Sequence, residues 1–202
     1  GGLPFVLVRQ VAQSNPTDSG LYRLTASGNV DPTYGTGGSV RLFPPAASQA
    51  QDSFLRRFVA LPTGELLFVG DMRKPFPNDQ SQIQLMRTDL AGNLDPTFNG
   101  SGHSTATPAP GADFRTKSVA VRGNDNIYVA GSEGLYAPVG DSSLMLARFD
   151  YDGPLDTNFQ QGGFRVQSVG PGTHSQFRKL LYLPGIDRLV AAGFSNKNGN
   201  FD

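Results

Sequence analysis

Apolar residues along this chain either alternate with polar ones or come in runs of four or five, and Gly, Pro, Asn or Asp closes almost every run. Alternation and short runs with that punctuation predict β-strands, and no stretch has the 3.6-residue period of a helix. The pattern also repeats. FVALPTGELLFVG (58–70), VAVRGNDNIYVAG (119–131) and LYLPGIDRLVAAG (181–193) place Gly70, Gly131 and Gly193 at spacings of 61 and 62. Between them lie LYRLTASGNVDPTYGTGGSV (21–40), IQLMRTDLAGNLDPTFNGSGHS (83–104) and LMLARFDYDGPLDTNFQQGGFRV (144–166). Asp31, Asp95 and Asp156 are 64 and 61 apart, as are Tyr34, Phe98 and Phe159. The opening LPFVLVRQ (3–10) reads as a degenerate earlier copy, with Arg9 in the place of the glycine.

Each unit holds four predicted strands, in the second unit at about 56–61, 65–71, 83–89 and 102–107, with PTGE (62–65) as the turn between the first two. A four-stranded unit recurring about every 60 residues predicts a β-propeller blade. The expected fold is all-β: blades of four antiparallel strands, about three plus a partial one, in a single segment 1–202. The units fall at about 1–55, 56–115, 116–178 and 179–202. Three blades and a fraction do not close a ring. Further blades in the same chain, or a homo-oligomer, are therefore expected.

The LDPTF phrase has a local explanation. The Asp side chain accepts the N–H two residues on, in an Asx-turn. Pro presets the next φ, the ring folds back over the preceding strand, and the glycines that follow take positive φ. One such corner, plugged by an aromatic ring, is expected in each unit.

The pair LDPTFNGSG and VALPTGELLFVG resembles the delta-60 repeat, a bacterial β-propeller repeat family of unknown function. Its pattern couples a phrase like DG.LDPTFG.GG to one like ALQPDGKILVAG. The resemblance spans almost the whole chain; PTGE and GNDN (123–126) stand where the family usually has Pro-Asp-Gly-Lys. It implies an exported or surface-associated bacterial protein, extracellular or in the cell envelope, and it implies no catalytic residues.

Composition narrows the chemistry. With 17 basic and 17 acidic residues, the 202-residue chain lacks the basic excess of a nucleic-acid binder. It has no cysteine, which excludes disulfides and thiolate metal sites. It has no apolar run long enough for a transmembrane helix. His103 and His174 stand near glycine turns and are expected to be solvated. FDYDG (149–153) reads as a hairpin turn; the faint likeness to a calcium loop lacks the closing ligands. No nucleophile elbow, P-loop or dinucleotide fingerprint is present. No metal and no cofactor is expected.

One recurring feature carries chemistry. Before each innermost strand stands a basic cluster: Arg56 and Arg57, Arg115 and Lys117, Arg178 and Lys179. Arg57, Lys117 and Lys179 align at spacings of 60 and 62, and blade symmetry would gather them into a positive ring at one mouth of the channel. Solvated charges, or pairs with Asp52 and Asp113, are the plainer alternative. The expected function is a non-catalytic structural or binding module whose partner is a protein or an acidic glycan. The competing expectations are a propeller enzyme (lyase or glycoside-active) with its site in blades outside this segment, and a surface filament subunit.

Overall fold

The computed structural model describes residues 4–9, 19–42, 52–73, 81–108, 113–134, 141–160, 162–197 and 200–201. They form four antiparallel blades, the last two joined in one seven-stranded sheet. The first has three strands, β1 (Phe5–Arg9), β2 (Ser19–Arg23) and β3 (Ser39–Leu42), in that order. The second has four: β4 (Asp52–Ala60), β5 (Leu66–Arg73), β6 (Ser81–Thr88) and β7 (His103–Ala106). The third repeats it with β8 (Asp113–Arg122), β9 (Asn126–Gly134), β10 (Ser142–Asp150) and β11 (Phe164–Gln167). The fourth has β12 (Thr173–Leu183), β13 (Arg188–Lys197) and β14 (Asn200–Phe201). The third and fourth blades are joined through one parallel pair, Ser142 with His174. No α-helix occurs among the described residues; Pro184–Ile186 forms one turn of 3-10 helix.

These sheets are β-propeller-like blades. The expected strands of the second unit are all present, but β4 begins at Asp52, earlier than residue 56. The unit bounds expected at 55/56, 115/116 and 178/179 fall inside β4, β8 and β12, so each blade begins a few residues sooner.

Consecutive blades pack face to face. In β5, Leu66 and Phe68 join a cluster with Leu21, Tyr34 and Leu42 of the first blade. Leu67 and Val69 join another with Phe114, Ile127, Val129 and Phe149 of the third. Because successive strand residues point to opposite faces, a strand sandwiched between two blades must be apolar at every position. That is why LLFV is a run and not an alternation. Each side chain buried there contributes about 1.5–3 kcal/mol. Stacking of blades, more than any single hairpin, therefore holds the chain together. Ala120, Ala130 and Leu180 make the smaller junction of blades three and four.

The register also corrects the opening copy. β1 pairs Val8 with Gly20, as β5 pairs Gly70 with Gln84, 64 residues on. Val8, not Arg9, stands at the glycine's place. Among the described residues no strand lies on the other side of β1 to bring a carbonyl over Val8.

Candidate functional site: corners and a basic bulge

The three corners share one construction. The N–H of Thr33, Thr97 and Asn158 donates to the Oδ1 of Asp31, Asp95 and Asp156 at 3.0, 2.9 and 3.0 Å. These are the Asx-turns the sequence predicts. Each is preceded by a hairpin closed by Gly28, Gly92 or Gly153 at positive φ; Asp150 and Asp152 belong to that hairpin in the third blade.

The structure adds a partner that sequence reasoning missed. Arg23, Arg87 and Arg148, eight residues before each Asp, donate from Nε to its Oδ2 at 2.8, 2.6 and 2.6 Å. The same guanidinium groups lie over the corner rings of Tyr34, Phe98 and Phe159, 4.9, 4.9 and 4.6 Å from the centroids. Their spacing of 64 and 61 equals that of the aspartates, a signal present in the sequence. Burial raises the Asp95 carboxyl, but the Thr97 and Arg87 bonds outweigh it and hold the pKa below its ordinary value. The central corner is the most closed: Arg87 also donates to Thr97 Oγ1 at 2.9 Å and to the Tyr151 carbonyl of the next blade at 3.2 Å.

The plugs are not equal. Phe98 is fully buried and Tyr34 nearly so, whereas Phe159 is half-buried, short of the expected plug. The hairpin of the following blade covers Phe98: a Cβ at Gly153 would stand 3.2 Å from its ring. Among the described residues no such hairpin follows Phe159.

A cavity of about 440 Å³ opens beside the central corner, between Thr63, Glu65, Asp89 and Tyr151. Most of its polar groups bond one another, as Asp89 does with Asn93 and Thr63 with Tyr151.

The basic clusters sit on β-bulges. Pairing shifts by one residue between Leu55 and Arg57, between Thr116 and Ser118, and between Phe177 and Lys179. The extra residues are Arg56, Lys117 and Arg178, spaced 61 and 61. This corrects the row expected from sequence. Lys117 is a bulge residue, but Arg57 and Lys179 stand one place further on, where the third blade has Ser118. Blades two and four carry basic residues at both places, so alignment by charge slid by one. A bulge bends its strand and re-aims the inserted side chain. It also explains the recurring glycine: a Cβ at Gly70, Gly131 or Gly193 would lie 1.8, 1.9 or 2.1 Å from the carbonyl oxygen of Phe54, Arg115 or Gln176.

A buried carboxylate fastens the central bulge. Asp71 of β5 accepts the Thr116 N–H at 2.7 Å and its Oγ1–H at 2.6 Å, across the junction of blades two and three. It also pairs with Arg56. Burial pushes the Asp71 carboxyl up; Arg56 and Thr116 pull against it. In the next junction Ser132 replaces Asp71 and meets Gln176 Nε2 at 3.0 Å.

Lys117 is half-buried and makes no hydrogen bond or ion pair with any described residue. Its pKa is lowered, first by burial, then by the charges of Arg56 and Arg178, with Asp71 opposing and Arg115 adding to the fall. Arg56, Arg115 and Arg178 thus lie within electrostatic reach of Lys117. Arg115 is tied to Asp113 at 3.3 Å, and exposed Arg178 lies over Phe194, 4.9 Å from the centroid. Arg57 and Lys179 are both exposed.

The histidines differ from expectation. His103 is buried at the start of β7 with Nε2 unpartnered, and burial lowers its pKa to about 4; His174 is half-buried in β12. Both lie in strands, and the elements around His103 exclude water. No group of three or more acidic or histidine side chains that could hold a metal occurs among the described residues.

Residues 9–34, from the end of β1 through the first Asp corner to Tyr34, match a sequence family described as "Domain of unknown function (DUF5122) beta-propeller". The matched stretch contains the Arg23–Asp31–Tyr34 corner, whose construction recurs at Arg87 and Arg148. This stretch is thus similar to a β-propeller domain of unknown function. No curated protein and no solved structure matches it.

Proposed function

We propose that this chain is a non-catalytic binding module of the delta-60 repeat type, exported to the bacterial surface or medium. Its bulge cluster takes a carboxylate-bearing ligand, for which a uronic-acid polymer is the first candidate. The observation that carries this reading is Lys117, a half-buried ammonium group at a β-bulge with no ion pair to any described residue and with the charges of Arg56 and Arg178 acting against it. Such a group sits at raised free energy; a carboxylate docked against it forms a charge-assisted bond and relieves the repulsion. Exposed Arg178 offers a second, bidentate donor. Arg56 is committed to Asp71 and contributes field more than contact. Absence of cysteine supports export, since a cysteine-free chain cannot form mispaired disulfides in an oxidising compartment.

The test is titration of the chain with polygalacturonate at low and at high salt. Lys117→Ala and Arg178→Ala should each weaken binding about tenfold, roughly 1.4 kcal/mol, and Lys117→Arg should retain most of it. Arg57→Ala and Lys179→Ala, one place off the bulge, should cost less. Unchanged affinity in the Lys117→Ala/Arg178→Ala double variant would end the reading, and cleavage of the polymer would refute its non-catalytic part.

A further inference from the structure

Lys117 is fixed from both sides. It is the inserted residue of the β8 bulge, and β8 packs against β4 of blade two and β12 of blade four. The residue before it, Thr116, donates its N–H and its Oγ1–H to Asp71 of blade two at 2.7 and 2.6 Å. The residue after it, Ser118, accepts the Leu180 N–H of blade four on its Oγ at 2.9 Å. Both flanking residues are buried. The backbone that carries Lys117 is thereby held at two junctions at once.

The three inserted residues have different company. Arg56 is paired with Asp71, and Arg178 rests on the Phe194 ring. Lys117 has neither kind of partner among the described residues. The cations that act on it come from β4 (Arg56), from β8 itself (Arg115) and from β12 (Arg178). Asp71 of β5 opposes them, but its carboxylate is already shared between Arg56 and Thr116. Of the three inserted residues only Lys117 can lose its proton, since a guanidinium group does not. Surrounding positive charge favours the neutral amine, and a neutral lysine amine is a nucleophile. The same charge favours an adduct that ends as an anion, because guanidinium groups hold a carboxylate by charge-assisted bonds. An aldehyde would give a neutral or cationic imine and gain nothing from three guanidinium groups. Carbon dioxide gives an anion.

We propose that Lys117 is a carbamylation site, where Nζ combines reversibly with carbon dioxide to give a carbamate facing Arg56, Arg115 and Arg178. The amine nitrogen attacks the carbon of carbon dioxide, an N–C bond forms, and one C=O bond opens to a carboxylate. The surplus proton on nitrogen leaves to solvent, and nothing is oxidised or reduced. The charge at residue 117 changes from positive to negative. Where the binding role proposed above holds, carbon dioxide and the uronate polymer compete for this one nitrogen, so the adduct switches the site off. That consequence rests on the binding role; the adduct itself does not.

The decisive experiment is carbon NMR of the chain in ¹³C-bicarbonate, with the adduct trapped by alkylation and located by peptide mass spectrometry. No polymer is present. A carbamate resonance is expected, and the trapped adduct should fall on Lys117. Lys117→Arg should abolish the resonance. That variant keeps the fold, since blades two and four carry arginine at this place, and circular dichroism checks it. Lys179→Arg, which changes an exposed lysine one place off the bulge, should leave the resonance unchanged. Absence of a carbamate resonance would overturn the proposal. So would a resonance that persists in Lys117→Arg, an adduct as abundant on Lys179 as on Lys117, or borohydride trapping of glycolaldehyde on Lys117 without any carbamate. The binding role has a separate readout, because Lys117→Arg should lose the carbamate and still bind polygalacturonate.

Discussion

Replacing Phe98 with Ala tests the account of the corner. The ring is fully buried in the main core cluster, between blades two and three, with Arg87 stacked on one face and the Gly153 hairpin against its edge. Truncation of such a ring removes its transfer free energy and leaves a cavity that a backbone hairpin cannot collapse to fill, at a cost of about 3–5 kcal/mol. Loss of the stacked guanidinium adds about 0.5–1 kcal/mol. For a chain of this size, where 1 kcal/mol moves the midpoint by about 2–4 °C, the melting temperature should fall by roughly 7–24 °C. Phe159→Ala supplies the comparison. That ring has the same corner and the same stacked arginine but is only half-buried, so its loss should cost less than half as much. Urea and thermal unfolding followed by circular dichroism would measure both. A Phe98→Ala loss below about 1 kcal/mol would show that the corner is not a plug. Equal losses at the two positions would show that cover by the next blade does not set the cost.

Two further outcomes follow. Gly131→Ala should destabilise by about 1–3 kcal/mol, since its Cβ would lie 1.9 Å from the Arg115 carbonyl oxygen and force the bulge open; Gly185→Ala, with nothing within 4 Å, should be neutral in the same unfolding assay. The folded-state pKa of His103, about 4, lies below its ordinary 6.5, so the stability tied to the neutral ring is complete above pH 6.5, declines as pH falls, and is lost below about 4. That amounts to roughly 3 kcal/mol. It should be visible as a fall in the urea midpoint between pH 7 and pH 4 that His103→Met blunts, and an equal fall in the variant would remove His103 from the account.

What the sequence by itself determined is whatever a few adjacent residues decide. The LDPT phrase is an Asx-turn because Asp, Pro and Thr make one wherever they stand, PTGE turns because Gly64 takes positive φ, and spacings of 61 to 64 announce one blade after another. The arginine of each corner was legible too, at the spacing of the aspartates, although nothing local says that a side chain eight residues back reaches the carboxylate. The tertiary structure alone decided the rest. A bulge is a one-residue shift, and where Arg56 and Arg57, or Arg178 and Lys179, stand side by side, composition cannot say which is inserted; the pairing of Gly70 and Gly193 with the strand before them does. The anchoring of Asp71 on Thr116 joins residues 45 apart in different blades. Likewise, the burial of His103 and the contrast between Phe98 and Phe159 depend on which neighbouring blade lies over them. No window of sequence contains that blade, because cover between blades is set by how the sheets stack and not by the residues covered.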